Sequence, residues 1–226
     1  MEVLYEDNHI IIVNKQPGEI VQGDKTGDIP LSETVKAYLK AKYDKPGNVF
    51  LGVTHRLDRP TSGIVLFAKT SKALSRLNTM FSKGEISKTY HAIVPRMADT
   101  EDTTLTHWLT RNERQNKSYA HDKEVRDSKK AMLTYHSIGQ GERYTLLEVQ
   151  LHTGRHHQIR CQLAATGHVI KGDLKYGAPR SNPDGSISLH ARRIAFEHPV
   201  SHEQVDVTAP YPANGIWESL AGDDIH

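Results

Sequence analysis

The 226-residue chain has one cysteine, Cys161, so no internal disulfide can form, which fits a reducing compartment. Nothing near that thiol repeats a thiol-enzyme pattern, and we read it as a small buried apolar residue. No apolar run approaches the roughly 20 residues that span a bilayer, and the opening MEVLYEDNH has no basic or apolar targeting segment. A cytoplasmic protein without a membrane partner is the expectation. GxGxxG and GxxxxGKS/T loops are absent, which argues against a nucleotide cofactor. The GxSxG elbow is missing too, so Ser62 reads as a turn residue and not a nucleophile. A metal site built on His152, His156 and His157 has no second cysteine and no HExxH arrangement to complete it. The formal net charge of +2 permits nucleic acid as a partner without demanding it.

What is present suits a soluble domain with a real core: 37% of residues are hydrophobic and 25% charged. Val3–Tyr5 and Ile10–Val13 have the look of two short strands joined by a polar turn, followed by a loop through Pro30. Ser32 is the expected cap of a helix to about Tyr43, with Val35, Leu39 and Tyr43 on one face. Ser71 is expected to cap a second helix, with Leu74, Leu77 and Phe81 at helical spacing and Gly84 as its left-handed end. Lys88–Val94 alternates as a strand. Residues 98 to 130 are polar, and we expect a surface excursion or small hairpin there. Ala131–Ile138 and Arg143–Leu151 form a hairpin across Gly139-Gln140-Gly141. A helix from Gly154 to Thr166, a loop over 172 to 186, and strands near 188 to 196 and 205 to 208 complete the chain. No repeat or dividing linker is visible, so a single α+β domain over 1–226 with a mixed, mainly antiparallel central sheet is the expected architecture.

Charge gathers in the stretch VTHRLDRPTSGIVLFAK, residues 53 to 69. His55, Arg56 and Asp58 lie just before a turn that feeds the apolar run Ile64–Ala68. Charge at the mouth of a buried strand needs partners, which marks a candidate site. A second concentration is LHTGRHHQIR, residues 151 to 160, where helical spacing puts His156 and Arg160 on one face and turns Ile159 and Leu163 into the core. Arg160 is then either a partly buried cation that needs a carboxylate, with Asp58 as candidate, or a surface residue of an amphipathic helix. Tyr90 is either core or, with Lys88 on the same strand face, lining of a site.

Taken together, NKQPG, HRLDRPTSG, KTYHAIV, LHTGRHHQIRCQL with GHVIKGDLKYG, and LHARRIAFEHP resemble, in order and spacing, the RluA family of RNA pseudouridine synthases from about Leu4 to Pro210. The resemblance implies the pseudouridine synthase catalytic fold and a stand-alone catalytic domain without the N-terminal accessory RNA-binding domain of longer relatives; a monomer is the default expectation. It implies isomerisation of specific uridines in structured tRNA or rRNA, with base flipping and no cofactor. By the same resemblance Asp58 is the nucleophile, Arg160 its salt-bridge partner, and Tyr90 the ring that lines the uracil pocket and a candidate for taking the carbon-5 proton. Arg56 is the side chain that enters the vacated stack, and His55, Thr61, Arg155 and Leu163 are placed with it at the substrate. Further RNA contacts are expected from Arg111, Arg114, Lys117, Lys171 and Lys175. Gln16 and Val169 depart from the family pattern. A relative that had lost catalysis would be expected to lack at least one of Asp58, Tyr90 and Arg160, and all three are present.

Overall fold

The computed structural model describes residues 1–222. In chain order the first half runs β1 (Glu2–Glu6), β2 (Ile10–Lys15), α1 (Leu31–Lys42), β3 (Gly52–Val53), β4 (Ser62–Ala68), α2 (Ser71–Lys83) and β5 (Ser87–Pro95). The second half runs β6 (Thr103–Asn112), β7 (Lys117–His121), β8 (Lys129–Gln140), β9 (Tyr144–Leu151), α3 (Gln158–Ala165), a 3₁₀ turn (Leu174–Tyr176), β10 (Leu189–Glu197), β11 (Gln204–Thr208) and α4 (Ile216–Ala221). These elements form two compact units: Met1–Ser87 with Ala191–Pro210, and Lys88–His190 with the segment from Tyr211.

In the first unit the strands run in the order β1-β2-β4-β10, with β3 also on β4 and β11 on β10. The β1/β2, β2/β4, β3/β4 and β10/β11 pairs are antiparallel. Every residue of β2 and β4 is buried, as continuous Ile/Val-rich runs should be when both faces of a central strand are covered. Their register joins Ile10 to Ala68 and Lys15 to Gly63, so the polar end of β2 arrives beside the turn that precedes β4. Gly63 is obligatory there: its φ is +112°, and a Cβ would lie 2.3 Å from the Ala191 carbonyl oxygen.

The helix ends differ from expectation. Ser32 is not the cap of α1; Pro30 is, without a side-chain bond, and Ser32 is buried inside the first turn. Tyr43 lies beyond the helix and is exposed, its hydroxyl donating to Glu6 instead of packing in the core. Thr70, not Ser71, caps α2 by accepting the Ala73 N–H, while Gly84 closes it at φ +71° as expected. At α2 the difference comes from two adjacent hydroxyl residues, Thr70 and Ser71, either of which could cap.

The second unit has the strand order β5-β9-β8-β6-β7, antiparallel at every step. Of the two alternatives for residues 98 to 130, the hairpin is the one present: β6 and β7 pair antiparallel, and the ten-residue β6 also joins β8 on its other edge. Its inward positions, Thr103, Leu105, His107 and Leu109, mix polar with apolar residues and so hid the alternation that marks a strand. The β8/β9 hairpin is present, with a register shift between Ser137 and Gly139. At Gly139 a Cβ would collide with the backbone of Leu220, so the bulge admits the short α4, whose Trp217 and Leu220 pack on Ile93 and Leu146. Neither α4 nor the two-residue β3 was visible in the sequence pattern. Cys161 is buried beside Leu109 and Ala131, and burial pushes its thiol up to about 11.

Candidate active site

In the first unit, the segment between β3 and β4 is fastened along its whole length. After β3 leaves the ladder at Val53, side chains take over its role. The Thr54 hydroxyl donates to Leu66 O at 2.5 Å, and Leu66 N donates to His55 Nε2 at 3.0 Å. His55 must therefore carry its proton on Nδ1, and its ring lies 5.1 Å from that of Phe81. Leu57 is buried, Asp58 is half-buried and Arg56 is exposed. The Asp58 carbonyl accepts the Thr61 N–H at 3.0 Å, which closes a turn directly after the carboxylate.

That turn sits on a buried cation. Lys15 is fully buried, and its ammonium donates to the carbonyls of Gln16 (3.1 Å), Arg59 (3.0 Å) and Thr61 (2.6 Å). Three donors meet three acceptors, the full capacity of an ammonium. Burial pushes the Lys15 amine down to about 8, and Arg59 adds to the decrease, against the attraction of Glu19 and Asp58. The Arg59 side chain reaches outward to Gly18 O and to Asp28 at 2.7 Å, and Gly18 N returns a bond to Arg59 O. Thr61 is buried, and its hydroxyl finds no hydrogen-bond partner among the described residues.

In the second unit, Lys88 and Tyr90 share a face of β5, with Tyr90 buried opposite Val149. Burial lowers the Lys88 amine. The turn before α3 lies against it: a Cβ at Gly154 would be 3.2 Å from Lys88 Nζ. Gln158 holds this turn, accepting from Thr153 Oγ1 (2.7 Å) and Arg155 N (3.0 Å) and donating to Met132 O (3.1 Å). Arg155 is exposed, with Nε on the Lys130 carbonyl.

The helix α3 starts at Gln158, four residues later than expected, because His157 occupies the left-handed region at φ 52°. His156 thus precedes the helix, and the shared helical face expected for His156 and Arg160 does not exist. His156 stacks on His157 with centroids 3.8 Å apart. Ile159 and Leu163 are buried as anticipated, and Leu163 has no exposed surface, so it backs this region without touching a substrate. Arg160 is not a surface residue. Its Nε and Nη2 donate to the two carboxylate oxygens of Asp173 at 2.7 and 2.9 Å, and both side chains are nearly inaccessible, at 5% and 1%. Arg160 Nη1 lies 3.2 Å from His157 Nε2, and its Cζ lies 5.2 Å from the Tyr176 ring centroid.

Lys15 as a clamp, His157 as a partner of Arg160, and Gln158, Tyr176 and Asp173 were not singled out from the sequence. Asp173 did leave a signal, since it is the only acid in the segment VIKGDLKYG, between the apolar Ile170 and Leu174, and an acid buried there needs a partner. Of the basic residues expected at RNA, Arg111 and Arg114 are exposed on and beyond β6, and Lys117 lies over the rings of Tyr119 and Tyr176. Lys175 reaches the Gln115 carbonyl, and Lys171 is turned onto Asn182 at 2.5 Å. Among the described residues no group of three or more His, Cys, Asp or Glu could hold a metal ion.

Comparison with known proteins gives this geometry a context. Residues 9–165 match the family model described as RNA pseudouridylate synthase. The chain is 31% identical over 94% of its length to the uncharacterized RNA pseudouridine synthase YlyB of Bacillus subtilis, covering 69% of that protein. It is equally identical to the ribosomal large subunit pseudouridine synthase D of Zymomonas mobilis (94% of this chain, 69% of that one). The tRNA pseudouridine synthase C of Vibrio vulnificus also shares 31%, over 97% of this chain and 94% of that one. Among solved structures, human RNA pseudouridylate synthase domain containing 4 superposes with a TM-score of 0.77 at 20% identity, covering 94% of this chain and 89% of that one. That likeness speaks to the fold.

Proposed function

Because the chain belongs to the family of RNA pseudouridylate synthases, and is thus an isomerase acting on RNA, we propose that it converts specific uridines of structured tRNA or rRNA through Asp58. Relatives named for ribosomal and for transfer RNA stand at the same 31% identity, so identity favours neither substrate. The reaction breaks the bond from uracil N1 to ribose C1′ and forms one from C5 to C1′. The proton on C5 leaves and N1 gains one, so no atom is lost overall and no cofactor is consumed.

In this reading Asp58 is the nucleophile. The observation that carries it is the turn on which Asp58 sits: its own carbonyl and those of Arg59 and Thr61 are fixed, two of them by a buried ammonium, while Asp58 as a residue is only half-buried. A nucleophile held on a rigid turn reaches its target with little reorganisation. Arg160 balances that carboxylate once water is displaced.

Tyr90 stacks on the uracil. As a general base it would have to lose a proton from a group whose ordinary pKa is about 10, which makes pocket lining its better role. Arg56, exposed beside Asp58, takes the space of the extruded base, offsetting an unstacking cost of a few kcal/mol. His55, engaged through Nε2 by Leu66, holds the loop, and Thr61 supplies one of the carbonyls that Lys15 grips. Arg155, Arg111, Arg114, Lys117 and Lys175 contact phosphates. Asp58→Asn should abolish pseudouridine formation, measured by mass spectrometry of an RNA substrate, while RNA binding persists; turnover by this variant removes Asp58 from the chemistry.

A further inference from the structure

We propose that Asp173 is a positioning residue, which with His157 fixes the direction of the Arg160 guanidinium and through it the rate of the chemical step. This rests on the reading that Arg160 serves the reaction.

The argument starts from what a planar cation needs in order to be held in one orientation. Contacts along one edge fix its plane and its rotation, and a contact on another nitrogen or on its face removes the remaining tilt. Arg160 has all three. The Nε/Nη2 edge is forked by Asp173 at 2.7 and 2.9 Å, Nη1 lies 3.2 Å from His157 Nε2, and the Tyr176 ring covers its face. His157 makes its contact only as an acceptor, so its Nε2 is unprotonated and its proton sits on Nδ1, which lies 2.9 Å from the Tyr176 oxygen. That oxygen also accepts the Ser118 N–H. His157 is placed for this by a left-handed backbone that a histidine seldom adopts.

Asp173 is held as firmly as the group it holds. Its amide donates to Ile170 O, and its carbonyl accepts from Tyr176 N and Ala178 N. The preceding Gly172 has φ +87°, and a Cβ there would lie 2.7 Å from the Asn182 side chain. Asn182 in turn anchors Lys171 and the hydroxyls of Ser186 and Ser188. A buried ion pair of this kind adds little to stability over a packed apolar pair of the same volume. Such an arrangement is explained by direction: carboxylate forks specify the angle of a guanidinium better than any apolar contact.

The test is single-turnover pseudouridine formation, with RNA affinity and thermal unfolding measured alongside, for wild type, Asp173→Asn, Arg160→Met and the double variant. Asp173→Asn is expected to slow the chemical step roughly 10- to 100-fold, the range found for outer partners that orient a site's ligands. RNA affinity should hold. In the Arg160→Met background, where no guanidinium remains to be aimed, the same change should cost no further rate and should raise the melting temperature by removing an unpaired buried charge. A purely structural Asp173 would add its loss in both backgrounds. Should Asp173→Asn fail to fold, His157→Asn tests the same point, since asparagine tolerates the left-handed backbone and cannot reproduce both ring contacts. It should slow the chemical step at unchanged RNA affinity. A wild-type rate in Asp173→Asn or, in its stead, His157→Asn, or an additive loss in the double variant, overturns the proposal. A wild-type rate in Arg160→Met overturns instead the reading on which it rests.

Discussion

Lys15 and Arg160 are both buried cations, and they are satisfied in opposite ways. The Lys15 ammonium donates its hydrogen bonds to backbone carbonyls, while Arg160 has a carboxylate across its edge. Carbonyl dipoles saturate the hydrogen bonds of an ammonium but supply partial charge, so desolvation wins and the Lys15 amine falls to about 8. A guanidinium cannot escape burial by losing its proton, so Arg160 has a full opposite charge as partner. The difference teaches what each cation is for. Lys15 gathers main chain into a turn and is adjustable by pH, whereas Arg160 supplies a permanent charge with a direction.

The largest effect that would test this contrast is Arg160→Met. It strands the buried Asp173 carboxylate and should cost on the order of 3 to 5 kcal/mol in urea unfolding at pH 7. An unchanged midpoint would mean that Asp173 finds another partner. Lys15→Met comes next: three buried carbonyls lose their donor at about 1 to 3 kcal/mol each, partly offset by relief of a desolvated charge, for a net loss of about 3 kcal/mol.

The same variant reads the pH dependence. The folded Lys15 amine titrates near 8 and the unfolded one near 10.5. Between those values the unfolded chain binds a proton that the folded chain does not, so the Lys15 contribution to stability rises with pH. The advantage of wild type over Lys15→Met should therefore grow from pH 8 to 10.5 by up to about 3 kcal/mol. A flat difference across that window would place the amine close to its ordinary value. The smallest effect belongs to the exposed pair Arg193–Asp206, which repeats the two-toothed fork of Arg160 with its side chains about half exposed. Arg193→Met should change stability by less than about 1 kcal/mol and lose even that in high salt; a loss matching that of Arg160→Met would show that fork geometry matters more than burial.

Much of this was legible before any coordinates. The continuous apolar runs of β2 and β4 and the helical spacing of α2 declare themselves because burial on both faces or on one stripe leaves a periodic trace. Cap positions were misjudged by a residue or two because Ser, Thr and Pro compete for them locally. The β6/β7 hairpin stood only as one of two alternatives because a half-covered strand of Thr, His and Trp has no strong apolar period, and α4 was missed because a short helix leaves too few turns to show one. Of the site, the carboxylate and cations of HRLD and HQIR stood out as charge in apolar company.

The sequence by itself determined the family and the α+β class and singled out the charged residues of HRLD and HQIR, since these depend on local pattern and on motifs with fixed spacing. Only the tertiary structure decided which groups hold those residues. That Lys15 grips carbonyls 44 and 46 positions downstream, and that Arg160 lies on Asp173 rather than on the helical face expected with His156, follow from how the chain closes on itself. The partners of a buried charge are chosen by three-dimensional proximity under a desolvation penalty, and no linear spacing records that choice.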